Sequence, residues 1–102
     1  HPILVSLQNA LWQLLYAADW LDGIYDTIRR GGDTADNAAI AGALLGACYG
    51  VNEIPPQLVQ AISHCRPLKG QFGVRRPRPE CCWATEVGYL TQQILAGEKK
   101  PA

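Results

Sequence analysis

Two acidic residues follow a pair of glycines in the middle of this 102-residue sequence. Asp33 and Asp36 lie close together just before a long apolar segment. Hard divalent cations bind oxygen ligands that a rigid element holds close together, so the two aspartates are candidate metal ligands. The alternative is structural, with Asp33 as the N-cap of a helix and Asp36 as an acid in its first turn. Gly31 and Gly32 would let the backbone bend and approach a ligand without a Cβ in the way.

Other groups of residues could also do chemistry, and each has a simpler interpretation. His64 and Cys65 could form a ligand pair or a nucleophile and its base, but neighbouring residues in a helix point in different directions. Cys81 and Cys82 are interpreted as packing residues or incidental thiols. The basic, Pro/Arg-rich segment 66–79 could neutralise phosphates through its arginines. The simpler interpretation of this segment is a solvated surface loop stiffened by prolines.

The segment that contains the glycine pair reads GGDTADNAAIAGALLGA over residues 31–47. It resembles the C-terminal signature of the ADP-ribosylglycohydrolase family, whose usual form is Gly-Gly-Asp-x-Asp-Thr followed by an alanine-rich Gly-Ala-Leu-x-Gly-Ala helix. The resemblance extends upstream to residues 7–12 and to the helix of residues 19–30. Downstream it extends to residues 49–50, 54–55 and 65–67, so it covers nearly the whole chain.

This resemblance implies a fold, an activity and a set of site residues. The family is all-helical, binds two divalent metal ions, usually magnesium or manganese, and hydrolyses the bond between ADP-ribose and a side chain or small molecule. Asp33 is then expected to be a metal ligand, with Asp36 as a second candidate. Gly31 and Gly32 are expected to form the turn that approaches the substrate, which would be ADP-ribose or an ADP-ribosylated molecule.

The family's first metal-ligand cluster lies in its N-terminal part, which has no counterpart in this sequence. Residues 1–102 are therefore expected to be one all-helical unit that forms the C-terminal fragment of a larger family domain. Its partner would be the missing N-terminal half or a second copy of itself, and the chain alone is expected to be inactive. The alternative is a non-catalytic helical module that binds ADP-ribose or a protein partner.

The sequence departs from the family pattern within the motif itself. Where the family has Asp-x-Asp-Thr, this chain has Asp33-Thr34-Ala35-Asp36. A carboxylate is therefore missing at Ala35, and an aspartate stands at the threonine position. Asp36 lies one turn beyond Asp33 on the same helix face, where it could supply the lost charge. It could equally leave one metal position weak or empty.

Hydrophobic spacing and capping residues predict four or five helices that position these residues. Asp19 and Asp33 are the expected N-caps of the second and third helices. The predicted helices span about residues 4–18, 20–30, 34–49, 55–65 and 80–96. The first helix is predicted to be amphipathic or mostly buried because it carries leucines at helical spacing. These are Leu4, Leu7, Leu11, Leu14 and Leu15.

The spacing of small residues and the positions of the tryptophans predict how the helices pack. Gly42, Gly46 and Gly50 recur every four residues, although each glycine costs up to about 1 kcal/mol in helix propensity. We expect this stripe to admit another backbone at close range, and the isolated chain to self-associate, most simply as a dimer. The tryptophans are interpreted as core anchors. They are Trp12, Trp20 and Trp83.

Composition disfavours several classes of function. Nine basic and nine acidic residues balance, so no net charge attracts nucleic acid or an anionic membrane. A nucleic-acid binder working through residues 75–78 is further disfavoured because no aromatic residues are interleaved there. The uncharged run 37–52 is shorter than the roughly 20 residues of a membrane span. No signal peptide is recognised, and the spacing of the four cysteines fits neither a zinc site nor a disulfide framework, which favours the cytoplasm.

Overall fold

The structure is a computed structural model that describes residues 2–97. The chain divides between Pro56 and Gln57 into two compact units. Residues 2–97 form α-helices and short 3-10 turns but no strand, which confirms the predicted all-α fold. The helices are α1 (Pro2–Tyr16), α2 (Trp20–Arg29), α3 (Thr34–Tyr49), α4 (Pro56–Ser63) and α5 (Val87–Leu95). None of them is both long and apolar enough to cross a bilayer.

Aspartate caps fix the beginnings of the helices on either side of the glycine pair. The carboxylate of Asp19 accepts a hydrogen bond from the backbone N–H of Asp22 at 2.8 Å. The carboxylate of Asp33 accepts one from the backbone N–H of Asp36 at 3.4 Å. Such caps satisfy N–H groups that have no partner inside the helix. Both caps are those that the sequence predicts.

The first unit is organised around α3, against which α1 and α2 both pack. Its buried side chains are mostly small or polar. They are Ser6, Ala10, Gln13, Thr27, Asn37, Ala41 and Leu45. Among the glycines of the first unit, Gly23 of α2 leaves the least room for a side chain, because an added Cβ would lie 2.4 Å from Cδ1 of Leu45. A side chain at this position would therefore overlap the core.

The polar face of α1, and not its leucine face, packs into the first unit. Ser6, Ala10 and Gln13 are buried, whereas Leu4 and Leu15 are 65% and 75% exposed. The helix is amphipathic as predicted, but the prediction that it could be mostly buried is wrong. The physical reason is that the polar side chains find hydrogen-bond partners on α2 and α3, which offset part of the desolvation penalty of their burial.

The glycine stripe of α3 receives a side chain of α2. A Cβ added at Gly42 would lie 3.4 Å from Cδ1 of Ile24. The ring N–H of Trp20 donates a hydrogen bond to the carbonyl oxygen of Gly42 at 3.1 Å, and the same nitrogen would lie 3.9 Å from a Cβ at Gly46. Within residues 2–97, the groups that approach Gly42 and Gly46 are therefore side chains of α2, Ile24 and the indole of Trp20, and not the predicted second backbone.

In the second unit, none of the residues 57–97 is fully buried. Segment 66–79 contains no helix, and the backbone N–H of Arg78 donates to the carbonyl oxygen of Pro67 at 3.0 Å. This hydrogen bond closes the segment into a loop. Its basic side chains are exposed and form no ion pair with any acidic residue of the described range.

The last helix begins later than the sequence predicts. Residues Glu80–Cys82 and Ala84–Glu86 form 3-10 turns, and α5 begins only at Val87. Trp83, between the turns, is extended, and its ring N–H donates to the carbonyl oxygen of Arg78 at 2.9 Å. We attribute the late start to this bond, because it holds Trp83 against the loop instead of in a helix.

Candidate functional site

An open cavity of about 580 Å³ lies in the first unit beside the glycine pair. Its wall is built from α1, the last turn of α2, the turn that follows it and the first turn of α3. The lining residues are Val5, Gln8, Asn9, Trp12, Thr27, Arg30, Gly31, Gly32, Asp33 and Asn37. A cavity of this volume is large enough for a nucleotide-sized ligand.

The turn before α3 brings three of the predicted site residues to this cavity. Gly31 and Gly32 have φ angles of 75° and 74°, in the left-handed region that favours glycine. Asp33 follows them and also lines the cavity. Asp36 is exposed at the first turn of α3 and is not among the lining residues. The glycine pair, Asp33 and the cavity therefore form one continuous surface.

Asp33 and Asp36 interact through their carboxylates. A hydrogen bond with Asp33, together with the negative charge of Asp33, raises the pKa of Asp36 above its ordinary value. Two carboxylates at one rigid helix start are suitable ligands for a hard divalent cation. Within residues 2–97, however, no cluster of three or more His, Cys, Asp or Glu residues could hold a metal ion. The pair therefore fits only part of a metal shell.

A polar network between α1 and α2 supports the cavity wall and was not predicted from the sequence. The side-chain amide of Asn9 donates to Oγ1 of Thr27 at 2.9 Å. The amide nitrogen of Gln13 donates to Oδ2 of Asp26 at 2.6 Å and to Oδ1 of Asn9 at 3.3 Å. Gln13 is fully buried, and its Oε1 has no hydrogen-bond partner among the described residues. Polar residues at helical spacing in a leucine-rich helix were the available signal.

Arg30 lies between this network and the cavity. Its Nε donates to Oδ2 of Asp26 at 2.7 Å, and its guanidinium carbon stands 4.3 Å from the ring centroid of Trp12. Hydrogen bonds from Gln13 and then from Arg30 lower the pKa of Asp26. Trp12 is 41% exposed and lines the cavity. Its interpretation as a core anchor is therefore wrong, because the ring stacks on Arg30 at the surface.

The remaining candidates from the sequence do not line this cavity. Nδ1 of His64 lies 2.9 Å from the carbonyl oxygen of Gln60, one turn earlier in the chain. The sulfur atoms of Cys81 and Cys82 are 3.9 Å apart. All four cysteines are free and exposed, so Cys81 and Cys82 are not packing residues, and the alternative interpretation as incidental thiols stays. Residues 80–82 form an exposed turn that covers no core.

Comparisons with known proteins agree with the family signature. Residues 1–95 match the family model ADP-ribosylglycohydrolase. A protein of Acanthamoeba polyphaga mimivirus named as an ADP-ribosyl glycohydrolase is 34% identical over 61 residues, which cover 56% of this chain and 18% of that protein. The ADP-ribosylarginine hydrolase Tri1 of Pseudomonas putida (strain GB-1) is 32% identical over 76 residues, 72% of this chain and 20% of that protein. The matched part thus spans about a fifth of each relative, and no solved structure matches.

Proposed function

Because the chain belongs to the ADP-ribosylglycohydrolase family, we propose that it forms the C-terminal part of a domain that hydrolyses the glycosidic bond to ADP-ribose. The observation that carries this proposal is the cavity beside Gly31 and Gly32. Its wall combines a glycine turn with a carboxylate, amide side chains, an aromatic ring and a guanidinium. Such a mixture of one apolar surface and a few placed polar groups is typical of sites for small polar ligands.

Asp33 and Asp36 are the residues proposed to hold a divalent cation, Mg²⁺ or Mn²⁺. Such an ion polarises ribose hydroxyls and orients a water when it is bound. Asp33 also caps α3, and this second role keeps its carboxylate at the start of the helix. Since the two carboxylates fit only part of a shell, the other ligands are proposed to come from the rest of the family domain or from water.

The exposed leucine face of α1 supports the proposal that this chain is part of a larger domain. Contiguous exposed apolar surface on a helix is typical of a face that another part of a protein covers. This face consists of Ile3, Leu4, Leu7, Leu11 and Leu15, each exposed. The matched relatives are about five times longer than the matched segment. We therefore assign the remainder of a family domain as the occupant of this face.

A non-catalytic ADP-ribose-binding module is the second candidate function. One observation favours it, which is that Ala35 stands where the family pattern has a carboxylate. Asp36, which could replace that carboxylate, lies outside the cavity wall. A module of this kind would bind ADP-ribose without releasing it from a modified side chain, even when the rest of a family domain is supplied.

Calorimetric titration with ADP-ribose, in the presence and absence of Mg²⁺, tests the proposed function. We expect binding that Mg²⁺ strengthens and that Asp33→Asn weakens, and no release of ADP-ribose from modified arginine or serine by this chain alone. Asp19→Asn is the matched control because Asp19 is also an N-cap and asparagine caps a helix as well as aspartate does. Absence of ADP-ribose binding under both conditions contradicts the proposed ligand. Release of ADP-ribose from a modified side chain by a monomer of this chain contradicts the proposal that the site needs a larger domain.

A further inference from the structure

We propose that Arg30 binds the diphosphate of the ligand and so fixes the direction in which ADP-ribose lies in the cavity. The proposal rests on the proposed function, because the ligand class comes from there. Arg30 was not a candidate residue in the sequence. The assignment depends on three features of the structure, which are the charges along the cavity wall, the contacts that hold the guanidinium, and the atoms that those contacts leave available.

The charges along the wall are placed asymmetrically. Among the lining residues, Arg30 is the cation and Asp33 is the anion, and the others are neutral. A diphosphate is attracted to the first and repelled by the second. The diphosphate is therefore placed at Arg30, and the distal ribose points towards Asp33 and the glycine turn. The opposite direction would put the distal ribose at Arg30 and leave its guanidinium without the phosphate oxygens that it binds best.

The contacts of Arg30 hold its guanidinium in place before a ligand arrives. Asp26 accepts from Nε at 2.7 Å, and the ring of Trp12 covers one face at 4.3 Å. Asp26 is itself held by the buried Gln13 at 2.6 Å. A side chain that is ordered in advance loses less conformational entropy when it binds. The clamp of Asp26 and Trp12 therefore prepares Arg30 for a ligand and does not merely fill space.

These contacts leave the terminal nitrogens of Arg30 available. The hydrogen bond and the ion pair of Arg30 within residues 2–97 both use Nε. The outer edge of a guanidinium binds phosphate oxygens with two parallel hydrogen bonds. Arg29 provides the contrast, since its Nη2 lies 3.8 Å from Oδ1 of the same Asp26 and its side chain is 71% exposed. Arg29 does not line the cavity.

The experiment compares Arg30→Gln with Arg29→Gln, which removes the same charge from the adjacent position. Calorimetry with ADP-ribose in Mg²⁺ is expected to show a loss of about tenfold in affinity for Arg30→Gln, equivalent to about 1.4 kcal/mol. Arg29→Gln is expected to change affinity by less than about twofold, because Arg29 does not line the cavity. Adenosine, which has no phosphate, is expected to bind both variants as it binds the unmodified protein.

Inorganic pyrophosphate separates this inference from the proposed function. Pyrophosphate binding that is weakened by Arg30→Gln and not by Arg29→Gln supports the assignment, even if ADP-ribose fails to bind and the proposed function falls. Equal effects of the two variants on ADP-ribose overturn the assignment while the proposed function stands. If the Arg30→Gln variant loses the circular dichroism signal of its helices, it has failed to fold, and the Arg30→Lys variant is used to test diphosphate binding instead. Weaker diphosphate binding by the lysine variant supports the two-bond contact, and unchanged binding overturns it.

Discussion

Asp26 joins the polar network of α1 and α2 to the cavity wall, because it accepts hydrogen bonds from both Gln13 and Arg30. These bonds lower the pKa of Asp26 in the folded protein. A depressed folded pKa means that the unfolded chain binds the proton more readily. The stabilisation by Asp26 is therefore fully present above the unfolded value of about 3.9 and is lost as the pH falls through the lower folded value.

The first prediction concerns the dependence of stability on pH. Between neutral pH and pH values below about 4, the melting temperature of the protein is expected to fall. Asp26→Asn is expected to lower the melting temperature at neutral pH and to make that fall shallower. Glu53→Gln, at an exposed carboxylate, is the control and is expected to leave the fall unchanged. Thermal melts followed by circular dichroism provide the measurement, and equal slopes for both variants would refute the role of Asp26.

At the scale of residues, the parts of the site that are adjacent in the chain were predictable from the sequence. Gly31, Gly32 and Asp33 are consecutive, and their types alone indicate a turn and a cap. Trp12 and Arg30 could not be paired in the same way because the contact between them is tertiary. It forms only once α1 and α2 have packed together.

At the scale of helices, Gly23 determines how closely α1, α2 and α3 approach one another. A Cβ at this position would lie 2.4 Å from Cδ1 of Leu45 in α3 and 3.7 Å from Cβ of Gln13 in α1. Leu45 is fully buried, so a shift of its side chain would disturb the packing of the core. Gly23 is therefore required for packing, although glycine lowers the helix propensity of α2.

The second prediction follows from this contact. Gly23→Ala is expected to lower the free energy of unfolding by about 1–3 kcal/mol, because the strain of overpacking exceeds the gain in helix propensity. Gly46→Ala is the matched control, since an added Cβ there would lie 3.9 Å from Nε1 of Trp20, an ordinary contact distance. Urea denaturation of the two variants gives the comparison. Equal stability of Gly23→Ala and the unmodified protein would contradict the packing described for α2.

The helices themselves were predictable because their ends carry local signals. Asp19 and Asp33 cap α2 and α3, and Gly50 ends α3 with a φ of 84°. The buried face of α1 was not predictable from hydrophobicity, because the helix packs through Ser6 and Gln13. The late start of α5 was not predictable from helix signals either, because it depends on a hydrogen bond between Trp83 and the loop.

At the scale of the whole molecule, the exposed leucine face of α1 is the surface most in need of a partner. Full burial of one exposed leucine side chain contributes about 1.5–3 kcal/mol of stabilising free energy. The proposed occupant is the remainder of a family domain. When that occupant is absent, a second copy of the same helix offers the nearest substitute. The predicted self-association is therefore assigned to α1, and not to the glycine stripe of α3, which already receives Trp20.

The third prediction is that the isolated chain forms a dimer through this face. Light scattering is expected to give the mass of two chains for the unmodified protein and of one chain for the double variant Leu4→Lys, Leu11→Lys. Gly46→Ala is expected to leave the dimer intact, because Trp20 of the same unit already lies beside Gly46. A monomeric unmodified protein contradicts self-association, and a dimeric double variant places the contact elsewhere.

The hydrogen-bonded interior of the first unit also restricts the register in which its helices can assemble. Purely aliphatic helices can slide past one another by a turn and remain buried. Here such a slide would separate Ser6 from Asn37 and Asn9 from Thr27, and each buried polar group left without its partner costs about 1–3 kcal/mol. Misaligned arrangements are therefore penalised at several points together. The favoured alignment is therefore the one in which Trp12 stacks on Arg30. The shape of the cavity thus depends on the hydrogen-bonded pairs between the helices of the first unit.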